Sequence, residues 1–188
     1  VPGDFSREWS RSLADRTHRI AFTGNFDTPW WLGRVRFSPL VRWGSSAPFN
    51  LSAGGIDRSL DDIQNDRPSY SGDPDDLDWR VYSSSPFPQA VANQLTVAPI
   101  GSPGNLPRNS GNGPQLFPFN FSLTREFKFA ERFRLRPSLE VYNPFNSTVY
   151  SFGSNFINLE DLNTAAGQNG FLAPTRTALS RRFRFGMR

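Results

Sequence analysis

A chain of 188 residues is long enough for one ordinary domain. With no cysteine it excludes disulfides and thiolate ligands, and a single histidine, His18, argues against an imidazole-built zinc or haem site. Lysine plus arginine outnumber aspartate plus glutamate 21 to 17, nearly all the cations being arginine, and with 18 Phe, 15 Gly and 16 Pro the composition disfavours a helical protein.

Period-two alternation appears five times along the chain. The first predicted strand, 17–28, sets His18, Ile20, Phe22, Gly24 and Phe26 against Arg19, Ala21, Thr23, Asn25 and Asp27. The second, 34–44, sets Val35, Phe37, Pro39, Val41 and Trp43 against Arg34, Arg36, Ser38, Leu40 and Arg42. Residues 45–115 read as a long loop, with Gly54-Gly55, Pro68, Pro74 and the turn-rich Asn109-Ser110-Gly111-Asn112-Gly113-Pro114. The third strand, 116–129, sets Phe117, Phe119, Phe121, Leu123, Phe127 and Phe129 against Asn120, Ser122, Thr124, Glu126 and Lys128. The fourth, 132–143, follows after little more than Ala130-Glu131 and sets Phe133, Leu135, Pro137, Leu139 and Val141 against Arg132, Arg134, Arg136, Ser138 and Glu140. A second loop, 144–176, precedes the fifth strand, 177–188, in which Leu179, Phe183, Phe185 and Met187 oppose Ser180, Arg182, Arg184, Gly186 and Arg188.

Successive strand residues point to opposite faces, so each strand has one apolar and one polar face. Each is about twice the usual globular strand length and matches the roughly 9 to 11 residues that cross a bilayer at a tilt. Connections run short, long, short, long, the asymmetry of outer-membrane barrels with tight periplasmic turns and long external loops. The predicted fold is all-β: an antiparallel up-and-down transmembrane β-barrel segment of about five strands with two long extracellular loops. No apolar stretch approaches the roughly 18 residues of a membrane-crossing helix, and Val1-Pro2-Gly3-Asp4-Phe5 does not read as a signal peptide.

In such a barrel Arg34, Arg36, Arg42, Arg132, Arg134, Arg136, Arg182 and Arg184 face the lumen, while Phe22, Phe37, Phe119, Phe121, Leu135, Leu139, Phe183 and Phe185 face lipid. A lipid-facing arginine at mid-membrane costs about 2–4 kcal/mol, so a bilayer enforces this segregation. Arg125 and Arg181 fall out of phase; Arg181 can snorkel to an interface, whereas Arg125 has no evident place. Trp30, Trp31, Trp43, Phe127, Phe129 and Phe145 lie near strand ends, as interfacial aromatics do. A sandwich in which the Phe faces meet a second sheet is the competing arrangement. No nucleic acid is expected as a partner, because Phe and Arg occupy opposite faces rather than one stacking surface. Asp73, Asp75, Asp76 and Asp78 offer oxygen ligands to Ca²⁺, but without EF-hand spacing, and a solvated loop is the expected reading. No nucleophile elbow, P-loop, dinucleotide fingerprint or zinc-protease motif is present, so neither catalysis nor a cofactor is expected.

Five segments carry a resemblance: Asp15-Arg16-Thr17-His18-Arg19-Ile20, Asn65-Asp66-Arg67-Pro68, Arg108 to Pro114, Glu140-Val141-Tyr142-Asn143-Pro144-Phe145-Asn146, and Arg182 to Arg188. In this order they resemble the C-terminal barrel region of TonB-dependent outer-membrane receptors, in the group with an N-terminal carboxypeptidase-regulatory-like domain. The resemblance implies a barrel of ~22 strands around a plug, nutrient uptake across the outer membrane of a Gram-negative-type bacterium, and an inner-membrane energy-transducing complex as partner. The chain carries neither plug nor energy-coupling box and is expected to be about a quarter of a barrel, ending shortly before the native terminus. Its edge strands require the remaining strands, since lipid satisfies no backbone group. Lumen arginines would meet the plug or an anionic solute. The alternative is a non-enzymatic structural or adhesive β-protein, or an accessory subunit of a larger envelope assembly.

Overall fold

The computed structural model describes residues 8–55, 57–82, 84–129, 132–152, 165–178 and 180–188. They form two units. One is a sheet, the wall, built from 17–45, 115–149 and 178–188; the other is a body built from 1–16, 46–114 and 150–177.

Five strands make the wall: β1 (Arg19–Thr23), β2 (Arg36–Gly44), β3 (Phe119–Thr124), β4 (Pro137–Tyr142) and β5 (Arg182–Met187). They pair antiparallel in chain order, each with the next, as an up-and-down meander. The nine residues of β2 span about 30 Å at ~3.3 Å per residue, enough to cross a hydrocarbon core.

Two prolines explain why the other strands are shorter than their alternation suggests. Phe26–Asp27 pairs with β2 as β1 does, but Gly24-Asn25 between them does not. Those residues lie opposite Pro39, whose nitrogen, by the alternation of the ladder, faces this edge and has no proton to donate. In the same way Pro137 accepts from the Arg125 amide at 3.2 Å but returns no bond, and the pairing continues beyond it as the hairpin of Phe127–Phe129 with Phe133–Leu135. The tight connection through Ala130 and Glu131 lies outside the described residues, as does Leu179. The fifth strand begins later than expected, because Arg176–Ala178 pairs with Val149–Ser151 instead of with the wall.

Register places every apolar phase in one face. Phe26, from the short pair beyond β1, forms one row with Phe37, Leu123, Leu139 and Phe185 of β2 to β5, and Pro39, Phe121, Val141 and Phe183 form the next. Ring contacts run along this face, from Phe22 through Phe26 and Phe37 to Phe121, with centroids 5.5–6.5 Å apart. Among the described residues no second sheet covers it: Ile20, Phe22, Phe26, Phe183, Phe185 and Met187 are 50–79 % exposed. An uncovered aromatic face of this extent is what lipid, and not water, accommodates. That geometry opposes the sandwich.

The long loops depart from expectation. Instead of open chain, 45–115 and 144–176 contribute to a body with its own apolar core of Phe49, Leu51, Tyr70, Leu77, Leu95, Leu106, Phe171 and Leu172. Short pieces of structure hold it: Pro48–Phe49 pairs with Gly111–Asn112, Ser69–Tyr70 with Leu95–Thr96, and brief helices cover Gln89–Ala92 and Ala165–Gly170. Gly111 packs against the Phe49 ring, where no side chain fits. Buried Arg80 donates to the carbonyls of Gln168, Asn169, Phe171 and Ser85. It thereby caps the C-terminal end of the Ala165–Gly170 helix, where a cation suits the dipole, and binds the second loop to the first. Burial pulls its guanidinium below the ordinary range.

Candidate functional site

The opposite face of the wall is built in polar rows. Thr124 on β3 lies between Arg36 on β2 and Ser138 on β4, and Ser138 lies opposite Gly186 on β5. The next row towards the open end of β4 holds Ser38, Ser122, Glu140 and Arg184. Towards the tight turns, Arg136 and Arg188 form a mutual backbone pair at 2.8 and 3.3 Å. At this end the face hollows into a groove of about 490 Å³ lined by Asp27, Arg34, Arg36, Thr124, Glu126, Arg136, Ser138, Glu140 and Arg188.

Ion pairs order its walls. Arg36 grips Asp27 with both ends of its fork, Nε to Oδ1 at 2.7 Å and Nη2 to Oδ2 at 3.0 Å. Arg136 donates to Glu126 at 2.5 Å, and Glu140 accepts from the Tyr142 hydroxyl at 2.6 Å and from Arg184 at 3.4 Å. These side chains are substantially exposed, and solvent screens such pairs, so they add little to stability. Their consequence is orientation rather than stability: the pairs hold long side chains upright around an open floor. Ser138 and Thr124 supply hydroxyls there, and Gly186 keeps it clear, since a Cβ would approach Ser138 Oγ to 2.7 Å.

Of the eight arginines expected on the lumen side, Arg36, Arg42, Arg182 and Arg184 lie on the polar face of the paired strands, and Arg182 stacks over Tyr142 at 5.5 Å. Arg34 and Arg136 line the groove at its turn end. Arg132 and Arg134 are not brought there: Arg132 is in an exposed turn, and Arg134 lies opposite Lys128 in the terminal hairpin. Like charges directly opposed belong in solvent, beyond the groove. Of the eight expected lipid-facing residues, all but Leu135 lie within β1 to β5 on the apolar face; Leu135 opposes Phe127 in the hairpin. The carboxylates of Asp27, Glu126 and Glu140 went unassigned, although each occupies a polar-phase position within reach of an arginine.

Arg125, out of phase in sequence, finds a place. Its guanidinium lies 4.4 Å over the Phe127 ring and close to Gly33, beside the exposed turn Trp30–Leu32. That is the tight-turn end of the sheet, where an arginine reaches the interface and stacks on an aromatic. Arg181 donates its backbone N–H to Asn146 Oδ1 at 3.2 Å, just ahead of β5.

The segments that carry the resemblance act as braces. Asn143, at a left-handed φ of 49°, exchanges two side-chain bonds with the Ser147 backbone at 2.8 and 2.9 Å, closing the turn after β4. In the body, buried Arg67 donates to the Leu106 carbonyl and pairs with Glu8, which holds the Glu8 carboxyl below the usual range. Asp66 accepts from the amides of Arg58 and Ser59. The aspartates considered for Ca²⁺ do not converge: among the described residues no group of three or more acidic, His or Cys side chains could hold a metal. Asp73 instead caps the turn Pro74–Asp76, accepting from the Asp75 amide at 3.0 Å.

No helix among the described residues is long and apolar enough to cross a membrane, which leaves crossing by strands open. A family model described as an outer membrane beta barrel domain matches residues 2–183. No curated protein and no solved structure matches the chain. A meander with one uncovered apolar face, one charged face and a match over nearly its whole length belongs to the outer membrane beta barrel domain family, and its place is the outer membrane.

Proposed function

We propose that this chain is part of a TonB-dependent receptor that takes up a scarce nutrient across the outer membrane, without catalysing a reaction. The remaining strands of the barrel pair with its edges, a plug fills the lumen, lipid covers the Phe face, and an inner-membrane complex supplies the energy. The observation that carries this reading is the open, arginine-rich groove on the polar face, a surface suited to contact a solute or a plug and not to close a dry core. The ordered body supports it, because a folded loop region holds a fixed set of contacts ready for a ligand.

The test is uptake in cells lacking the gene, across metal chelates, oligosaccharides and peptides. The reading expects loss of one solute class, restoration by the full-length gene, and the same loss when a protonophore removes the driving force. Unchanged uptake of every class, with a defect in envelope assembly or adhesion instead, overturns it in favour of a structural role.

A further inference from the structure

We infer that the groove is an anion site, taking a carboxylate or phosphate group between Arg34 and Arg188; the inference rests on the polar face being the lumen side of a receptor wall. The groove is lined by four arginines and three carboxylates. Each carboxylate is already engaged: Asp27 by Arg36, Glu126 by Arg136, and Glu140 by Arg184 and Tyr142. Arg34 and Arg188 make no ion pair among the described residues, so the charge left to meet a ligand is positive.

Both cations are fixed at the backbone. Arg188 is held by its two-way pair with Arg136. Arg34 follows Gly33 with both residues left-handed, at φ 53° and 84°. A non-glycine residue rarely holds that conformation, and strain of this kind collects at functional sites. The floor offers the Thr124 and Ser138 hydroxyls, and Gly186 leaves the space above them open. Guanidinium forks match the two oxygens of a carboxylate or phosphate. A concave wall with surplus positive charge also concentrates anions from solution.

Two sources share this chemistry: a free anionic solute, or an acidic side chain from another part of the receptor. The full-length receptor in detergent micelles is titrated by calorimetry with succinate and with inorganic phosphate at low salt. Arg34→Gln, Arg188→Gln and Arg34→Lys variants are titrated alongside. A free-solute site gives saturable binding that weakens tenfold or more in either Gln variant and is partly kept by Arg34→Lys. An internal acid gives no binding by wild type, and a lowered thermal midpoint in both Gln variants but not in Arg34→Lys. Absent binding together with unchanged midpoints overturns the site. Energy-dependent uptake that persists in that case leaves the receptor reading standing, whereas anion binding without any uptake removes the receptor reading and keeps the site.

Discussion

The turn after β4 rests on one side chain, and replacing Asn143 separates its two contributions. Its amide donates to the Ser147 carbonyl at 2.8 Å and accepts from the Ser147 amide at 2.9 Å, in a position only 6 % exposed. Each bond contributes about 1 kcal/mol net, so Asn143→Gly loses about 2 kcal/mol of bonding but sheds about 1 kcal/mol of Cβ strain at the left-handed φ, for a net loss of about 1 kcal/mol. Asn143→Ala loses the same bonds and keeps the Cβ that Asn143 already holds at this φ, so it loses the full ~2 kcal/mol. The expected order of stability is Asn, then Gly, then Ala, the reverse of the Ala-over-Gly order in ordinary strand or helix. Reversible guanidinium unfolding of the full-length protein in micelles, followed by tryptophan fluorescence, measures it. An alanine variant as stable as the glycine variant, or either within 0.5 kcal/mol of wild type, refutes the reasoning.

Three further outcomes follow from the body. Gly111→Ala drives a methyl into the buried Phe49 ring and lowers the body's stability by about 1–3 kcal/mol, read as faster amide exchange at Phe49 and Asn112. Arg80→Met removes the donor to the Gln168, Asn169 and Phe171 carbonyls, and proteolysis is expected to cut 165–173 at least tenfold faster while the wall keeps its amide protection. Because Arg67 depresses the Glu8 carboxyl, that pair stabilises the body fully above the unfolded value near 4.5 and loses its contribution as pH falls through the lower folded value. Glu8 is 40 % exposed, so solvent screening keeps the contribution under about 1 kcal/mol, and Glu8→Gln removes this part of the pH dependence in acid titrations of amide exchange.

The wall was legible because a strand writes its environment with period two. The row Phe26, Phe37, Leu123, Leu139 and Phe185 draws one residue from each of five separate alternations, and pairing only had to align them. Breaks in the ladder were less visible, although Pro39 and Pro137 mark them, because proline satisfies the apolar phase while removing a donor. Arg125 showed as an exception with no explanation until Phe127 and Gly33 placed it at the turn end. The body could not be read as folded. Phe49, Leu51, Leu77, Leu106 and Phe171 recur at no period and lie among prolines and glycines, so nothing local signals that they meet. The groove was half legible: arginines stood out by number, but their pairing with Asp27, Glu126 and Glu140 depends on register.

The account turns on which face of the wall meets lipid. The chain has no cysteine, so single cysteines at 119 through 124 can be spin-labelled in the full-length protein in vesicles with no background from this segment. Collision with oxygen, which enters lipid, is compared with collision against a water-soluble nickel chelate. Labels at Phe119, Phe121 and Leu123 should favour oxygen, and those at Asn120, Ser122 and Thr124 should favour nickel, alternating at every step. A profile with no alternation, or one with the two sets reversed, would contradict the assignment of lipid and lumen faces on which the rest depends.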